Sequence, residues 1–208
     1  WQSRPGGAGN VAANLALMGV TPYVLGTIGD DADGASLQQL LADADTHACL
    51  LKTLPQTTVK TRIVADGHQL ARIDREVRGV LHSSALASVL SVIDHVQAVV
   101  ISDYAKGFLS PQLAYEILGL SQSRSLPVFV DTKPDNAMWY SGADMYKLNL
   151  REALEVLDRL RVLHPAAFDT PLNAAAWAAQ SLVPRLLAKA VVVTAGAAGA
   201  AYSDGATT

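Results

Sequence analysis

Residues 98–134 read AVVISDYAKGFLSPQLAYEILGLSQSRSLPVFVDTKP, and this stretch decides the fold. It opens on an apolar run, Ala98-Val99-Val100-Ile101-Ser102, whose β-branched residues suit a buried, pleated strand. Leu113 to Leu120 is helical, and Pro127-Val128-Phe129-Val130 is a second apolar run of strand length. Strand, helix, strand in that order predicts parallel strands covered by helices.

The alternation spreads outward from this unit. Upstream, Val11, Leu15 and Met18 with intervening alanines make a helix from near Gly9 to Gly19, and a strand follows over Tyr23-Val24-Leu25-Gly26-Thr27-Ile28. Ala35 to Leu41 is a second helix entered from Asp31 or Asp33 as its cap. Ser84 to Val96 is amphipathic, carrying Leu86, Val89, Leu90 and Ile93 on its apolar stripe. Downstream come a strand at Met145-Tyr146-Lys147, a helix from Arg151 to Leu160, a helix from Ala174 to Val183 broken or kinked at Pro184, and a strand at Val191-Val192-Val193.

One segment departs from this rhythm. Residues 58–64 and 68–73 are β-prone runs flanking Asp66-Gly67, and a type I′ turn needs positive φ at both central positions, which that dipeptide supplies. The region of about 57–74 therefore reads as an antiparallel hairpin appended to the main sheet, placed to cover a cleft.

With 208 residues, the chain is long enough for one main α/β domain with a small appendage. Hydrophobic residues make up 50% of it, yet no apolar run reaches the length of a membrane span, so a soluble protein without a membrane partner is expected. A net charge of -3 argues against a nucleic-acid surface. The single Cys49 cannot close an intrachain disulfide, no Cys/His group has zinc spacing, and no secretory apolar segment opens the chain, all of which fit a reducing cytoplasm. The chain starts on Trp1 rather than Met and stops at Thr208 just after a strand and turn, so a longer parent is expected.

Three apolar strands end in polar residues: Ser102-Asp103, Val130-Asp131 and Val193-Thr194. In open parallel sheets the carboxyl edge is where ligands bind. Any one of these residues is explained as the cap of the next helix, but three in succession, with Lys106 and Lys133 close behind an Asp, favour a shared site. Asp and Lys at strand ends suit phosphoryl transfer, in which lysines neutralise oxygens and carboxylates order magnesium.

Gly6-Gly7-Ala8-Gly9-Asn10 opens a helix, where backbone amides approach a ligand without Cβ obstruction. It reads either as a bed for sugar hydroxyls, with Asn10 and Asn14 one turn apart, or as a plain turn with an Asn cap. Gly7-x-Gly9-x-x-Ala12 with Asp30 downstream also matches a dinucleotide-binding fingerprint, which would make the protein an NAD(P)-dependent oxidoreductase of Rossmann type. That fingerprint must follow a strand directly, whereas Gln2-Ser3-Arg4-Pro5 is polar.

Taken in order, these segments resemble the ribokinase-like (PfkB) carbohydrate kinases along nearly the whole chain. Gly6-Gly7-Ala8-Gly9-Asn10 looks like the family's sugar-binding signature, Gly29-Asp30-Asp31 like its Gly-Asp-Asp turn, and Asn149-Leu150-Arg151-Glu152 like its Asn-x-x-Glu motif. Thr194, Gly196 and Gly199 match its nucleotide turn. Ser102-Asp103-Tyr104-Ala105-Lys106-Gly107, Val130-Asp131-Thr132-Lys133-Pro134 and Lys60-Thr61-Arg62 with Gln69 and Arg72 are most similar to the heptose 7-phosphate kinases.

The resemblance implies a three-layer α/β/α sandwich with a mostly parallel sheet and a small antiparallel lid, acting as a single domain over 1–208. It implies ATP- and magnesium-dependent phosphorylation of a heptose 7-phosphate at its anomeric hydroxyl, on the way to a nucleotide sugar for lipopolysaccharide core synthesis. Gly6, Gly7 and Asn10 would meet the sugar, with Lys60, Arg62 and Arg72 as lid contacts. Asp103, Lys106, Asp131 and Lys133 would support transfer, Asn149 and Glu152 would order magnesium through water, and Thr194, Gly196 and Gly199 would touch the nucleotide. A homodimer paired through the lid is expected. The family's Gly-Ala-Gly-Asp motif, whose Asp is the catalytic base, is expected beyond Thr208, so the fragment alone would be inactive. A ribose- or fructose-type kinase, a fused nucleotidyltransferase and a non-catalytic sugar-binding relative remain open on these residues.

Overall fold

The computed structural model describes residues 2–77, 79 and 84–207. They fall into two compact units, one of residues 1–92 with 106–110, the other of 93–105 with 111–208.

The first unit opens with helix α1 (Gly7–Leu17), strand β1 (Tyr23–Gly29), helix α2 (Ala32–Ala42) and strand β2 (His47–Leu54). β1 and β2 pair in parallel, from Tyr23 opposite His47 to Gly29 opposite Leu54. Ala12 of α1, Val24 of β1 and Leu41 of α2 are buried together, with Leu37, Ala48 and Leu50 against them. The α1 helix starts two residues earlier than expected, at Gly7, whose φ of 51° is a left-handed conformation that glycine adopts without strain. β2 was not anticipated from the sequence.

Strands β3 (Val59–Ala65) and β4 (His68–Arg75) form the expected hairpin as a separate two-stranded antiparallel sheet. Ala65 pairs with His68, and the two residues between them, Asp66 and Gly67, have φ of 50° and 77°. Positive φ at both positions is the I′ geometry the dipeptide predicts. Helix α3 (Ser84–Ile93) follows, three residues shorter than the amphipathic pattern suggested.

The second unit carries a five-stranded sheet in the order β5 (Val99–Asp103), β6 (Val128–Thr132), β7 (Met145–Asn149), β8 (Ala190–Thr194), β9 (Ala200–Ser203). The first four are parallel and β9 is antiparallel to β8. Crossovers run through α4 (Pro111–Ser123), a 3-10 stretch at Pro134–Tyr140, α5 (Leu150–Arg159) and α6 (Pro171–Leu186). Val130, Tyr146, Leu148, Val191 and Val193 of the strands are buried, as are Leu157 of α5 and Leu182 and Leu186 of α6. Ala174, Ala175, Ala178 and Ala179 of α6 are buried too, so the alanine richness of the chain lets this helix approach its neighbours closely.

Of the two outcomes expected at Pro184, a break or a kink, the break is corrected: α6 runs through Pro184 to Leu186. Proline costs a helix one backbone hydrogen bond, but it lies in the last turn, where burial of Leu182, Val183 and Leu186 holds the backbone in place. Among the described residues no helix is long and apolar enough to cross a membrane.

Candidate functional site

In the second unit the carboxyl ends of neighbouring strands bring the polar residues into line. Asp103 pairs with Thr132 and Asn149 pairs with Thr194 in the sheet register, so β5, β6, β7 and β8 all end at one edge. Lys133 follows directly, and its Nζ lies 2.6 Å from Glu152 Oε1 and 5.7 Å from the centre of the Tyr104 ring. The salt link to Glu152 raises the Lys133 pKa, so the side chain is a fixed cation. Lys147 pairs with Asp131 at 3.0 Å along the same edge.

Asn149-Leu150-Arg151-Glu152 is a capping box. Asn149 Oδ1 accepts from the Glu152 N–H at 2.9 Å, and Glu152 Oε2 accepts from the Asn149 N–H at 3.2 Å. The motif thus turns β7 into α5 with no intervening residue and leaves a buried carboxylate at a helix N-terminus, where its charge is favoured. Each Glu152 oxygen already accepts a hydrogen bond, one from Lys133 and one from Asn149. Among the described residues no group of three or more His, Cys, Asp or Glu side chains gathers to hold a metal ion. This donor set suits a hydrated cation met through water, not a cage of direct ligands.

Asp103 is buried and its carboxylate is committed to the protein. Oδ2 accepts from the Tyr140 hydroxyl at 2.7 Å and from Asn136 Nδ2 at 2.8 Å, and Oδ1 accepts from the Ala105 N–H at 2.8 Å. Burial, followed by the adjoining carboxylate, pushes the Tyr140 phenol well above its ordinary pKa, so it stays a hydrogen-bond donor. Asp103 therefore shapes the turn that carries Tyr104 and Ala105, the latter at a φ of 55°.

The turn after β8 projects outward. Thr194 is half-buried, Gly196 and Gly199 are exposed with φ of 60° and 106°, and no atom stands within 4 Å of where a Cβ would be placed on either. The turn is closed by its own backbone: the Gly199 N–H donates to the Gly196 carbonyl at 3.2 Å, the Ala198 N–H to the Ala195 carbonyl at 3.2 Å and the Ala195 N–H to the Gly199 carbonyl at 2.8 Å. What it leaves uncovered is the Cβ-free face of its two glycines.

In the first unit, Gly6, Gly7 and Asn10 occupy the start of α1, with Asn10 exposed and its carbonyl accepting from Asn14 Nδ2 at 2.8 Å. Residues 2–6 form no strand, so the structural context of the dinucleotide fingerprint is missing. Asp31 caps α2 through the Gly34 N–H and also accepts from the backbone N–H and hydroxyl of Thr57, which holds its carboxyl below the usual range. Thr57 Oγ1 in turn accepts from the Gly29 N–H at 2.9 Å. The Gly-Asp-Asp turn is thereby tied to the entry of the hairpin.

Lys60, Arg62 and Arg72 are exposed on the hairpin. Lys60 reaches Glu76 Oε1 at 2.5 Å and Asp74 Oδ2 at 3.4 Å, while Arg72 reaches Asp74 at 3.1 Å. Lys106 sits on the other Glu76 oxygen. Lys106 thus groups with Lys60 in this unit, and Asp131 and Lys133 with Asn149 and Glu152 in the other. Sequence reasoning passed over Glu76, Thr57, Asn136 and Tyr140. A signal for Glu76 existed, since Arg72, Asp74 and Glu76 continue the period-two charge pattern of β4.

A family model described as pfkB family carbohydrate kinase matches residues 1–208. The chain belongs to this family. The bifunctional protein HldE of Caulobacter sp. (strain K31) is 36% identical over 93% of the chain, which spans 39% of that protein. HldE of a Nitratiruptor species is 38% identical over 71% of the chain and 32% of its own length. Among solved structures, phosphofructokinase-2 from Escherichia coli, in complex with fructose-6-phosphate, superposes with a TM-score of 0.72 at 21% identity, covering 96% of this chain and 65% of that one. The fold is thus that of the PfkB kinases, and the chain spans well under half of the HldE proteins it matches.

Proposed function

We propose that this chain is the greater part of an ATP- and magnesium-dependent sugar-phosphate kinase, with heptose 7-phosphate as acceptor at its anomeric hydroxyl. The observation that carries the reading is the alignment of Asp103, Lys133, Asn149, Glu152 and Thr194 at one carboxyl edge of a parallel sheet. Relatedness to the HldE proteins and the likeness of residues 102–107 and 130–134 to heptose kinases support the choice of acceptor.

Magnesium ATP, when bound, supplies the phosphoryl group. Lys133 offers a fixed positive charge to its oxygens, and Glu152 with Asn149 orders the water around the cation. Thr194, Gly196 and Gly199 receive the nucleotide along the uncovered backbone of their turn, and Gly6, Gly7 and Asn10 receive sugar hydroxyls. Asp103 acts by fixing the backbone at Tyr104 and Ala105, and Asp131 by holding Lys147. Lys60, Arg62 and Arg72 belong to a lid, and the exposed Ile63, Val64, Leu70 and Ile73 on its strands favour pairing of hairpins between two copies. By the family resemblance the general base belongs to a Gly-Ala-Gly-Asp segment, and the setting is the cytoplasm.

The test is ADP release with magnesium ATP by a chain that continues past Thr208 through that segment. Heptose 7-phosphate should stimulate it most, fructose 6-phosphate less and unphosphorylated fructose least. Stimulation by no sugar refutes the kinase, and equal stimulation by fructose and its phosphate refutes the sugar-phosphate acceptor.

A further inference from the structure

Glu76 lies just past the hairpin and receives two cations that are far apart in sequence. Lys60, from β3, lies 2.5 Å from Oε1, and Lys106, from the segment after β5, lies on Oε2. The three side chains are 25%, 39% and 35% exposed respectively, so both lysines remain partly open to solvent although Glu76 Oε1 itself is buried between them. The Lys106 segment is held against residue 79 by close backbone approach: Gly107 has φ of 92°, and a Cβ there would overlap the Gly79 carbonyl oxygen. Lys60 and Lys106 are thus fixed on opposite oxygens of one small anion, with Asp74 also 3.4 Å from Lys60.

A phosphate presents pairs of oxygens at nearly the spacing of a carboxylate, and the same cationic groups bind both. We propose that Lys60 and Lys106 form an anion seat for the phosphate of a sugar phosphate, and that Glu76 fills this seat until the ligand displaces it. This rests on the sugar-phosphate reading above and adds the place of the acceptor's own phosphate and an internal competitor for it. Glu76 also keeps two like charges together when the seat holds no ligand, which their mutual repulsion opposes.

Loss of the Glu76 carboxylate has opposite effects under the two possible roles. Removing an acid that merely supports the fold weakens ligand binding or leaves it unchanged, whereas removing a competitor strengthens it. In the 208-residue chain, E76Q should bind inorganic phosphate and fructose 6-phosphate about fivefold more tightly than the unaltered protein by titration calorimetry, the scale of an exposed ion pair released to the ligand. Adding K106M to E76Q should abolish the gain. In the unaltered protein, phosphate should slow acylation of Lys60 and Lys106, read by mass spectrometry, and leave Lys52 and Lys189 unaffected.

Unchanged or weaker phosphate binding by folded E76Q overturns the seat, as does a gain that survives K106M or equal protection of all four lysines. The acylation readout needs no variant, so a poorly folding E76Q leaves the proposal open to refutation. The seat and the kinase fail separately. Phosphate binding with the expected E76Q gain, alongside no sugar-stimulated ADP release, sinks the kinase alone, and the reverse result sinks the seat alone.

Discussion

Replacing Asp103 with Ala tests how the edge of the second unit is held together. The substitution strands the Tyr140 hydroxyl, whose residue is 0% exposed, and the Asn136 amide, whose residue is 5% exposed. The Ala105 N–H is nearer the surface and can turn to water. A buried polar group left without a partner costs about 1–3 kcal/mol, so two of them and the lost contact to Ala105 should cost about 3–5 kcal/mol. For a chain of this size that lowers the melting temperature by roughly 6–20 °C. Tyr140→Phe leaves the carboxylate with Asn136 and Ala105 and should cost about 1–2 kcal/mol. Since the two changes remove one shared bond, D103A/Y140F should be less destabilised than the sum by about 1 kcal/mol or more. Urea unfolding followed by circular dichroism gives all three values. A cost for D103A below about 1 kcal/mol, or strict additivity, refutes the claim that Asp103 organises this turn.

Asn149→Ala removes the acceptor for the Glu152 N–H and should cost about 1 kcal/mol of stability in the same assay, with Asn149→Ser restoring most of it. Gly34→Ala would place a Cβ 2.5 Å from the Gly29 carbonyl oxygen and 2.9 Å from Thr57 Oγ1. It should cost about 1–3 kcal/mol, whereas Gly6→Ala, with no atom within 4 Å, should change stability by no more than about 0.5 kcal/mol. Lys106 first and Lys60 second hold the Glu76 carboxyl down at about 2, against an ordinary 4.5. A depressed carboxylate stabilises the fold above its unfolded pKa and loses that contribution as pH falls through the folded one. The difference in melting temperature between the unaltered protein and E76Q should therefore be flat above about pH 5 and vanish between 4.5 and 2.

The parallel strands of the second unit were legible because Val99–Ile101, Val128–Val130 and Val191–Val193 are short apolar runs bounded by turns. The hairpin was legible because Asp66-Gly67 meets a backbone demand few other pairs meet. β2 was not, since no residue of His47–Leu54 is fully buried and no alternation marks a face. Its place comes from pairing with β1 and from the Tyr23 ring stacking on His47 at 4.7 Å, neither of which a local pattern contains. Strand-end residues were legible as a set, but their partners were not. Lys133 meets Glu152 across 19 residues, Lys106 meets Glu76 across 30 and Tyr140 meets Asp103 across 37, distances over which only the folded chain brings them together. Pro184 suggested a break because its local cost is real, and burial of Leu182, Val183 and Leu186 around it outweighs that cost enough for the helix to continue.

The reciprocal lock between Asn149 and Glu152 means that recognition and architecture share the same atoms. A mutational survey would register both positions as loss of function even if neither ever met a nucleotide, because the origin of α5 shifts with them. Separating the two roles requires substitutions that preserve the lock while changing charge, such as Glu152→Gln. That amide retains an oxygen for the Asn149 N–H while withdrawing the negative charge that Lys133 now neutralises.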